Sequence, residues 1–401
     1  MIAGSDTMAK RDMRSSYVYG ADMLRFAAAI LVALFHLTWL NESTSMTAWY
    51  GWIGVEIFFV LSGFVIARSA SNTTPARFVK SRILRLYPAA WVCTIISFLV
   101  VVFYVRGISG LSFGLFARLA ASLMLSPTGP FIASAYWTLP IEIVFYAAVF
   151  CILLAGQIDR IEKLTTFLCV ASALYLLAYA CQSAGLIDQP LLEFGYGWRN
   201  VLLLRHGIYF AFGIYLWLWS EGRLSRSGMA GWALALAMAP LEITCRSAEL
   251  IVLMPVPAHL ANLWPVPIMI WLAACAMLVA STAWRDRIAR MPAPVLRCIR
   301  VAGLSTYPLY LIHEDLGEFA RDVLTGFGCP YLVAAGAAIV LCEIVAVLIA
   351  YVLEPAVRRL LDAAFLAINA WRPRGSRLAP VLEHADDNNL VMRGPGGTNR
   401  S

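Results

Sequence analysis

Long apolar runs alternate with short polar segments along most of this chain. A membrane-spanning helix needs about 20 mostly apolar residues. Ten runs meet that length approximately, at 21–41, 52–69, 88–106, 137–155, 164–184, 200–219, 229–247, 264–282, 303–324 and 331–353. An eleventh run, 111–126, is shorter and contains Arg118, so we expect an interfacial or re-entrant helix there. The pattern predicts an all-α, polytopic membrane bundle of about ten transmembrane helices.

Composition strengthens this interpretation. Of the 401 residues, 61% are hydrophobic and 14% are charged, whereas soluble domains run near half and a quarter. We expect a cytoplasmic N-terminal segment at 1–20 without a cleavable signal peptide, a membrane domain at 21–360 and a disordered cytoplasmic tail at 361–401. The nine cysteines are scattered singly, which predicts neither a metal site nor a disulfide framework.

The basic residues predict an orientation. Cytoplasmic loops of membrane proteins carry the excess of Lys and Arg. With the N-terminus inside, the predicted outer segments hold only Arg106, Arg118, Arg199 and Arg246, and the inner segments hold far more. Counting 111–126 as a span would invert every later segment and destroy this asymmetry. We therefore expect both termini in the cytoplasm, and the net charge of +7 needs no nucleic acid to explain it.

The first apolar run, RFAAAILVALFH, has Arg25 at one end and His36 at the other. Eleven residues at 100° each return the two side chains to nearly the same helix face, with a rise of about 16 Å. Ionisable groups inside a membrane are costly and are candidates for function. A histidine can act as a general base near neutral pH. A snorkelling arginine and a hydrogen-bonded packing histidine would give the same pattern.

Two carboxylates lie at the predicted outer ends of spans. Glu56, in GWIGVEIFFVLSGFVIAR, is either a helix-interface residue or an acceptor-binding group. Glu142, in WTLPIEIVFY, lies deeper than the interfacial Trp137 and needs a partner. The candidate partners are His36 and Arg205, and Arg205 with the next residue forms a buried basic pair.

Two further stretches carry candidate chemistry. In RFVKSRILRLYP, Arg82 and Arg85 are three residues apart and share a helix face. Two guanidiniums so placed suit a pyrophosphate or a ribose phosphate, although an ordinary basic inner loop looks the same. In STYPLYLIHED, Tyr307, Tyr310 and His313 recur at three-residue spacing. An aromatic packing stripe with a hydrogen-bonded histidine explains that pattern equally well.

These stretches, in this order, resemble acyltransferase family 3 of integral membrane proteins. The resemblance covers roughly 18–360. The residues that match the family's motifs are Arg25, His36, Arg82, Arg85, Glu142, His313, Glu354 and Pro355. Thr138 and Pro140 depart from the more usual serines near Glu142.

The resemblance implies transfer of an acyl group, acetyl or else succinyl, from cytoplasmic acyl-CoA to a sugar hydroxyl. The acceptor would be an exopolysaccharide, an O-antigen or a lipid-linked glycan. It implies a bacterial inner-membrane location, acyl-CoA as co-substrate, no bound cofactor or metal, and partners in polysaccharide biosynthesis.

The same resemblance implies roles for individual residues. His36 and Glu142 would be catalytic, and Arg25, Arg82 and Arg85 would hold the donor. The predicted substrate-binding residues are Glu56, Trp137, Tyr146, Arg205 and His313. Direct transfer with His36 as base and a covalent acyl-histidine both remain open.

The alternative from another class is a transporter or flippase for a lipid-linked glycan, with the buried ionisable residues as a proton relay. Many transporters are built from two similar halves. No such halves are visible in this sequence, which favours the enzyme.

Overall fold

A computed structural model of the chain describes residues 17–39, 48–107, 110–186, 201–254 and 264–370. These residues form helices, turns and connections, and contain no strand. Most of the predicted N-terminal segment and of the predicted C-terminal tail lies outside them.

The described residues form fourteen α-helices. In chain order they are α1 (Tyr19–Thr38), α2 (Gly54–Ala70), α3 (Pro75–Val100), α4 (Phe113–Met124), α5 (Thr138–Leu154), α6 (Ile161–Ser183), α7 (Gly207–Ser220), α8 (Arg226–Leu253), α9 (Pro265–Ala283), α10 (Arg285–Ile288), α11 (Ala293–Ile312), α12 (Asp315–Gly326), α13 (Tyr331–Leu348) and α14 (Glu354–Ala370).

Nine helical segments of the described chain are long and apolar enough to cross a membrane. The predicted polytopic helical bundle is therefore confirmed. The tenth predicted span, at 200–219, is instead α7, a helix of 14 residues that follows a series of turns. At 1.5 Å per residue it is about 21 Å long, which is short for a span. The run at 111–126 forms the 12-residue α4, shorter still, in agreement with its exclusion from the spans.

The predicted span at 303–324 is wrong in its bounds. Here α11 ends at Ile312, a turn follows at His313 and Glu314, and α12 begins at Asp315. The Glu314 carboxylate accepts hydrogen bonds from Ser134 Oγ and from the amide of Ala135, at 2.8 and 3.1 Å. These contacts fix the chain at the turn between α11 and α12. The apolar run ends there because the first turn of α12 is acidic.

Two spans, α3 and α11, begin earlier than hydropathy predicts, because arginines interrupt the apolar run near their starts. Helix α3 starts at Pro75, thirteen residues before the predicted 88. Thr74 caps it by accepting a bond from the Arg77 amide at 3.4 Å, and Pro75 suits the first helical position.

At the other end of the chain, α14 runs to Ala370, beyond the predicted domain boundary at 360. Lys80 of α3 and Asp362 of α14 form an ion pair at 2.9 Å.

The centre of the bundle is a close crossing of α2 and α7. Every residue of α7 from Gly207 to Leu218 is buried. A Cβ atom on Gly63 would lie 2.2 Å from the Phe210 carbonyl oxygen, and one on Gly213 would lie 2.0 Å from the Val60 carbonyl oxygen. Small residues let membrane helices approach backbone to backbone, so these two glycines set the separation of α2 and α7.

We expect Gly63→Ala and Gly213→Ala to lower the stability of the protein by about 1–3 kcal/mol each, because a methyl group would push the two backbones apart. The matched control is Gly336→Ala in α13, where an added Cβ meets nothing within 4 Å. Melting temperatures of the three variants in detergent test this. A Gly336→Ala protein that melts as early as the other two would contradict it.

Candidate active site

A cavity of about 390 Å³ lies among α1, α2, α3, α5 and α11. Five predicted site residues line it together, although they come from three helices: Arg25, Arg82, Arg85, Glu142 and Tyr146. These residues are far apart in the sequence, and the packing of the helices brings them together. The cavity therefore joins the predicted donor-binding arginines to one of the two predicted catalytic residues.

One end of the cavity is lined by five arginines, which we call the basic end: Arg25, Arg82, Arg85, Arg300 and Arg358. The last two were not predicted as site residues. Arg300 lies on α11, in a segment that hydropathy assigned to an inner loop, and Arg358 follows the Glu-Pro element at the start of α14. The whole lining contains two carboxylates, Asp22 and Glu142. Its excess of positive charge suits a multiply charged anion.

Asp22 organises the basic end. Its buried carboxylate accepts a hydrogen bond from the Tyr17 hydroxyl at 2.5 Å. It also lies 3.7 Å from Arg25 Nη1 and 3.5 Å from Arg300 Nη1. Burial, and then the negative charge of Asp22, raise the pKa of Tyr17, so the phenol stays protonated and keeps donating. Gly303 permits this contact, since a Cβ there would lie 2.4 Å from Asp22 Cγ.

Arg82 and Arg85 lie over aromatic rings. The Arg82 guanidinium is 5.5 Å from the ring centre of Phe78 and 5.7 Å from that of Tyr146. The Arg85 guanidinium is 5.7 Å from the Tyr307 ring. Such stacking orients a guanidinium while leaving its N–H donors for other partners.

Glu142 lies in the middle of the cavity and has partners that the sequence did not predict. Its Oε1 accepts a hydrogen bond from Ser62 Oγ at 2.7 Å and another, very short, from the Tyr146 hydroxyl. The two partners named from the sequence are bound elsewhere: His36 contacts a second histidine, and Arg205 pairs with two other glutamates. The predicted pairing of Glu142 with either of them is wrong.

The far end of the cavity is formed by Thr138, Tyr310 and Phe58. Thr138 Oγ1 and the Tyr310 hydroxyl are 3.2 Å apart, and the rings of Phe58 and Tyr310 meet edge to face at 5.4 Å. Behind Tyr310 lies His313, with ring centres 5.8 Å apart. His36 does not line the cavity; it contacts His313, which lies behind Tyr310.

His36 and His313 form a hydrogen-bonded pair. His313 Nδ1 lies 2.8 Å from the Tyr310 carbonyl oxygen, which can only accept, so Nδ1 carries the proton. In the neutral ring His313 Nε2 is then an acceptor, and it lies 3.0 Å from His36 Nδ1. That nitrogen is also 3.1 Å from the Val32 carbonyl oxygen, so it is the donor. The lone pair of neutral His36 is therefore on Nε2, in the form that a general base requires.

Three predicted substrate-binding residues, Glu56, Trp137 and Arg205, lie outside the cavity lining, in a second polar region. Arg205 Nε pairs with Glu242 Oε1 at 2.6 Å, and its Nη1 pairs with Glu249 at 2.8 Å. The Trp137 ring packs against that of His206, 5.7 Å away. The carboxylates of α8 carry no recognisable motif in the sequence, so this region was not predicted.

A family model described as "Acyltransferase domain" matches residues 18–353, which is most of the chain. The chain belongs to acyltransferase family 3. The family that the sequence predicted is thereby confirmed.

A curated protein of Komagataeibacter xylinus is also similar, with the description "Putative membrane-bound transacylase BcsY". It is 44% identical over 71 residues, which are 17% of this chain and 16% of that protein. The similarity thus spans well under two thirds of the relative. No solved structure matches the chain.

We expect Arg205→Met to destabilise the protein by about 3–5 kcal/mol, because it leaves the buried Glu242 and the partly buried Glu249 without the cation that they share. The control is Arg223→Met, which breaks the exposed pair with Asp159 and should cost about 1 kcal/mol or less. Thermal unfolding in detergent measures both. Equal losses in the two variants would contradict the structural importance of the buried pair.

Proposed function

We propose that this protein transfers an acyl group, acetyl foremost and succinyl otherwise, from acyl-CoA to a hydroxyl of a glycan. The acceptor would be a sugar of an exopolysaccharide, an O-antigen or a lipid-linked glycan in a bacterial inner membrane. The observation that carries the proposal is the cavity, which runs from five arginines to Tyr310, directly in front of the His36–His313 pair.

The basic end would bind the phosphates of the donor. Guanidiniums bind phosphates through paired hydrogen bonds. Arg25, Arg82 and Arg85 would have the donor-binding role that the sequence predicted, and Arg300 and Arg358, which line the same end of the cavity, would extend that surface. In the predicted orientation this end faces the cytoplasm, where acyl-CoA is found.

The arm of the donor would extend along the cavity past Glu142 towards the histidines. Arg25 and His36 lie on one helix, about 16 Å apart along its axis. A stretched pantetheine arm has a comparable reach. Tyr310 would have to turn aside for the thioester to meet His36. Glu142, already oriented by Ser62 and Tyr146, would contact the substrates from the cavity wall.

In the transfer step, His36 Nε2 would take the proton of the acceptor hydroxyl as its oxygen attacks the thioester carbon. The new C–O bond forms, the C–S bond breaks, and the sulfur leaves with its electron pair. The imidazolium then returns its proton to the sulfur, which gives free CoA. His313 would be a positioning residue, because its Nε2 holds the proton of His36 on Nδ1.

The predicted acceptor contacts lie close to the far end of the cavity. Trp137 directly precedes Thr138, which lines the cavity, and Glu56 lies next to Val55, which also lines it. A glycan hydroxyl that enters beside Trp137 would therefore approach Tyr310 and the histidine pair from the side opposite the donor.

Deletion of the gene should remove base-labile O-acyl esters from the surface glycans, as measured by proton NMR. Wild type should restore them and His36→Ala should not, because no base remains to take the hydroxyl proton. Gly336→Ala, in open space, is the control for protein level.

Full restoration by His36→Ala would refute the assigned base. A deletion that changes glycan export and leaves the esters intact would instead support the transporter.

Arg82→Ala, Arg85→Ala and Arg300→Ala should each weaken binding of CoA by about 10- to 100-fold, the loss of one or two charge-assisted hydrogen bonds. The control is Arg290→Ala, an exposed arginine between α10 and α11 that does not line the cavity. Calorimetric titration of purified protein in nanodiscs with CoA needs no acceptor. An equal loss in Arg290→Ala would show that general positive charge, not the cavity, binds CoA.

A further inference from the structure

A cluster of three buried metal-ligand side chains lies outside the cavity, where α2, the start of α7 and α8 meet. We call Glu56, His206 and Glu242 the carboxylate–histidine cluster. Each of the three is at most 2% exposed. One ligand atom from each side chain lies within 4.8 Å of those of the other two. The three residues come from distant parts of the sequence, so the fold alone assembles them.

We propose that the carboxylate–histidine cluster is a binding site for a divalent metal cation of the zinc or manganese type. The proposal does not rest on the acyl-transfer function, because it concerns residues that do not line the cavity.

The donor atoms have the right chemistry for such an ion. Imidazole nitrogen and carboxylate oxygen are both ligand types that zinc accepts, and they also suit iron and manganese. Tetrahedral zinc with bonds of about 2.0–2.1 Å places its ligand atoms roughly 3.4 Å apart. Atoms that already lie within 4.8 Å of one another reach that spacing by small side-chain rotations. Three protein ligands leave one position for an exogenous ligand.

Glu56 supplies an independent reason for a cation. Its Oε2 is buried and has no hydrogen-bond partner among the described residues. A buried carboxylate oxygen without a partner is costly, and a bound cation removes that cost. Glu56 is also the member of the cluster contributed by α2, whose neighbouring residues face the cavity and α7. A carboxylate oxygen of Glu56 lies within 4.8 Å of the ligand atoms of His206 and Glu242.

The charged groups of the described residues in this region also suit a cation. Three carboxylates, those of Glu56, Glu242 and Glu249, accompany two guanidiniums, those of Arg205 and Arg246. One negative charge is left over in this set. A divalent cation compensates it, and an anionic ligand such as hydroxide at the open position would balance the remainder.

Glu242 is oriented as a metal-ligating carboxylate usually is. Arg205 Nε donates to its Oε1 at 2.6 Å, and the Tyr209 hydroxyl donates to its Oε2 at 2.6 Å. Each carboxylate oxygen keeps a further lone pair for a metal. Outer hydrogen bonds of this kind fix the ligand and tune affinity. The rings of Phe59, Trp137 and Tyr209 surround His206 and limit access of water.

The test is metal binding by purified, tag-free, full-length protein in detergent. Wild type, stripped with a chelator and then dialysed against zinc or manganese, should retain about one ion per chain by mass spectrometry. Glu56→Gln and His206→Gln should each lose at least tenfold in affinity for zinc, measured by competition with a chromophoric chelator. Tyr209→Phe, which keeps all three ligands, should lose about 10- to 100-fold.

The matched control is Glu343→Gln, which removes a carboxylate that bonds Ser305 in another part of the bundle. It should bind zinc as wild type does. The melting temperature provides a second reading: zinc should raise that of wild type and of Glu343→Gln, and leave that of Glu56→Gln unchanged.

Two results would overturn the proposal. One is a wild type that neither retains nor regains a stoichiometric ion. The other is Glu56→Gln and His206→Gln proteins, folded by their melting curves, that bind zinc as tightly as wild type. In either case the carboxylate–histidine cluster is not a metal-binding site.

Discussion

The free-energy cost of placing an ionised group inside an apolar bundle determines which polar contacts form in the interior of this protein. Every buried charge must find an opposite charge or strong hydrogen bonds, and three of them find these partners on a distant helix. Asp22 links α1 to α11, Glu142 links α5 to α2, and Arg205 links the start of α7 to α8. The helices are therefore held in register by polar contacts as well as by packing, and the polar contacts are also the sites of proposed chemistry.

Different faces of helix α2 contact the cavity, helix α7 and the carboxylate–histidine cluster. Ser62 points into the cavity and bonds Glu142, Gly63 lets α7 approach, and Glu56 belongs to the carboxylate–histidine cluster. Ser62 and Gly63 are adjacent, so successive residues turned by 100° serve the cavity and the packing. A shift of α2 would move all three together. The close crossing with α7 thus keeps the cavity and the cluster in a fixed relation.

The sequence could predict the bundle, because runs of apolar residues report spanning helices directly. Hydropathy placed the starts of α3 and α11 too late, because it assigns the arginines near the start of each helix to a loop. Three of the five cavity arginines, Arg25, Arg82 and Arg85, were predictable because they lie in recognisable motifs, whereas Arg300 and Arg358 were not. The partners were not: Ser62 is 80 positions from Glu142, and His36 is 277 positions from His313. Only the packing of helices decides which of several buried groups meet.

The shortness of α7 has a consequence for how the chain enters the membrane. Fourteen residues, preceded by Arg205 and His206, make a poor segment for insertion into lipid, because the helix is short and its start is polar. Irregular backbone at that depth is tolerated only when protein surrounds it. Helix α7 can therefore enter only as part of a group, with α2 already in place and α8 arriving behind it to neutralise Arg205. The insertion of α7 is therefore coupled to the packing of α2 and α8 around it.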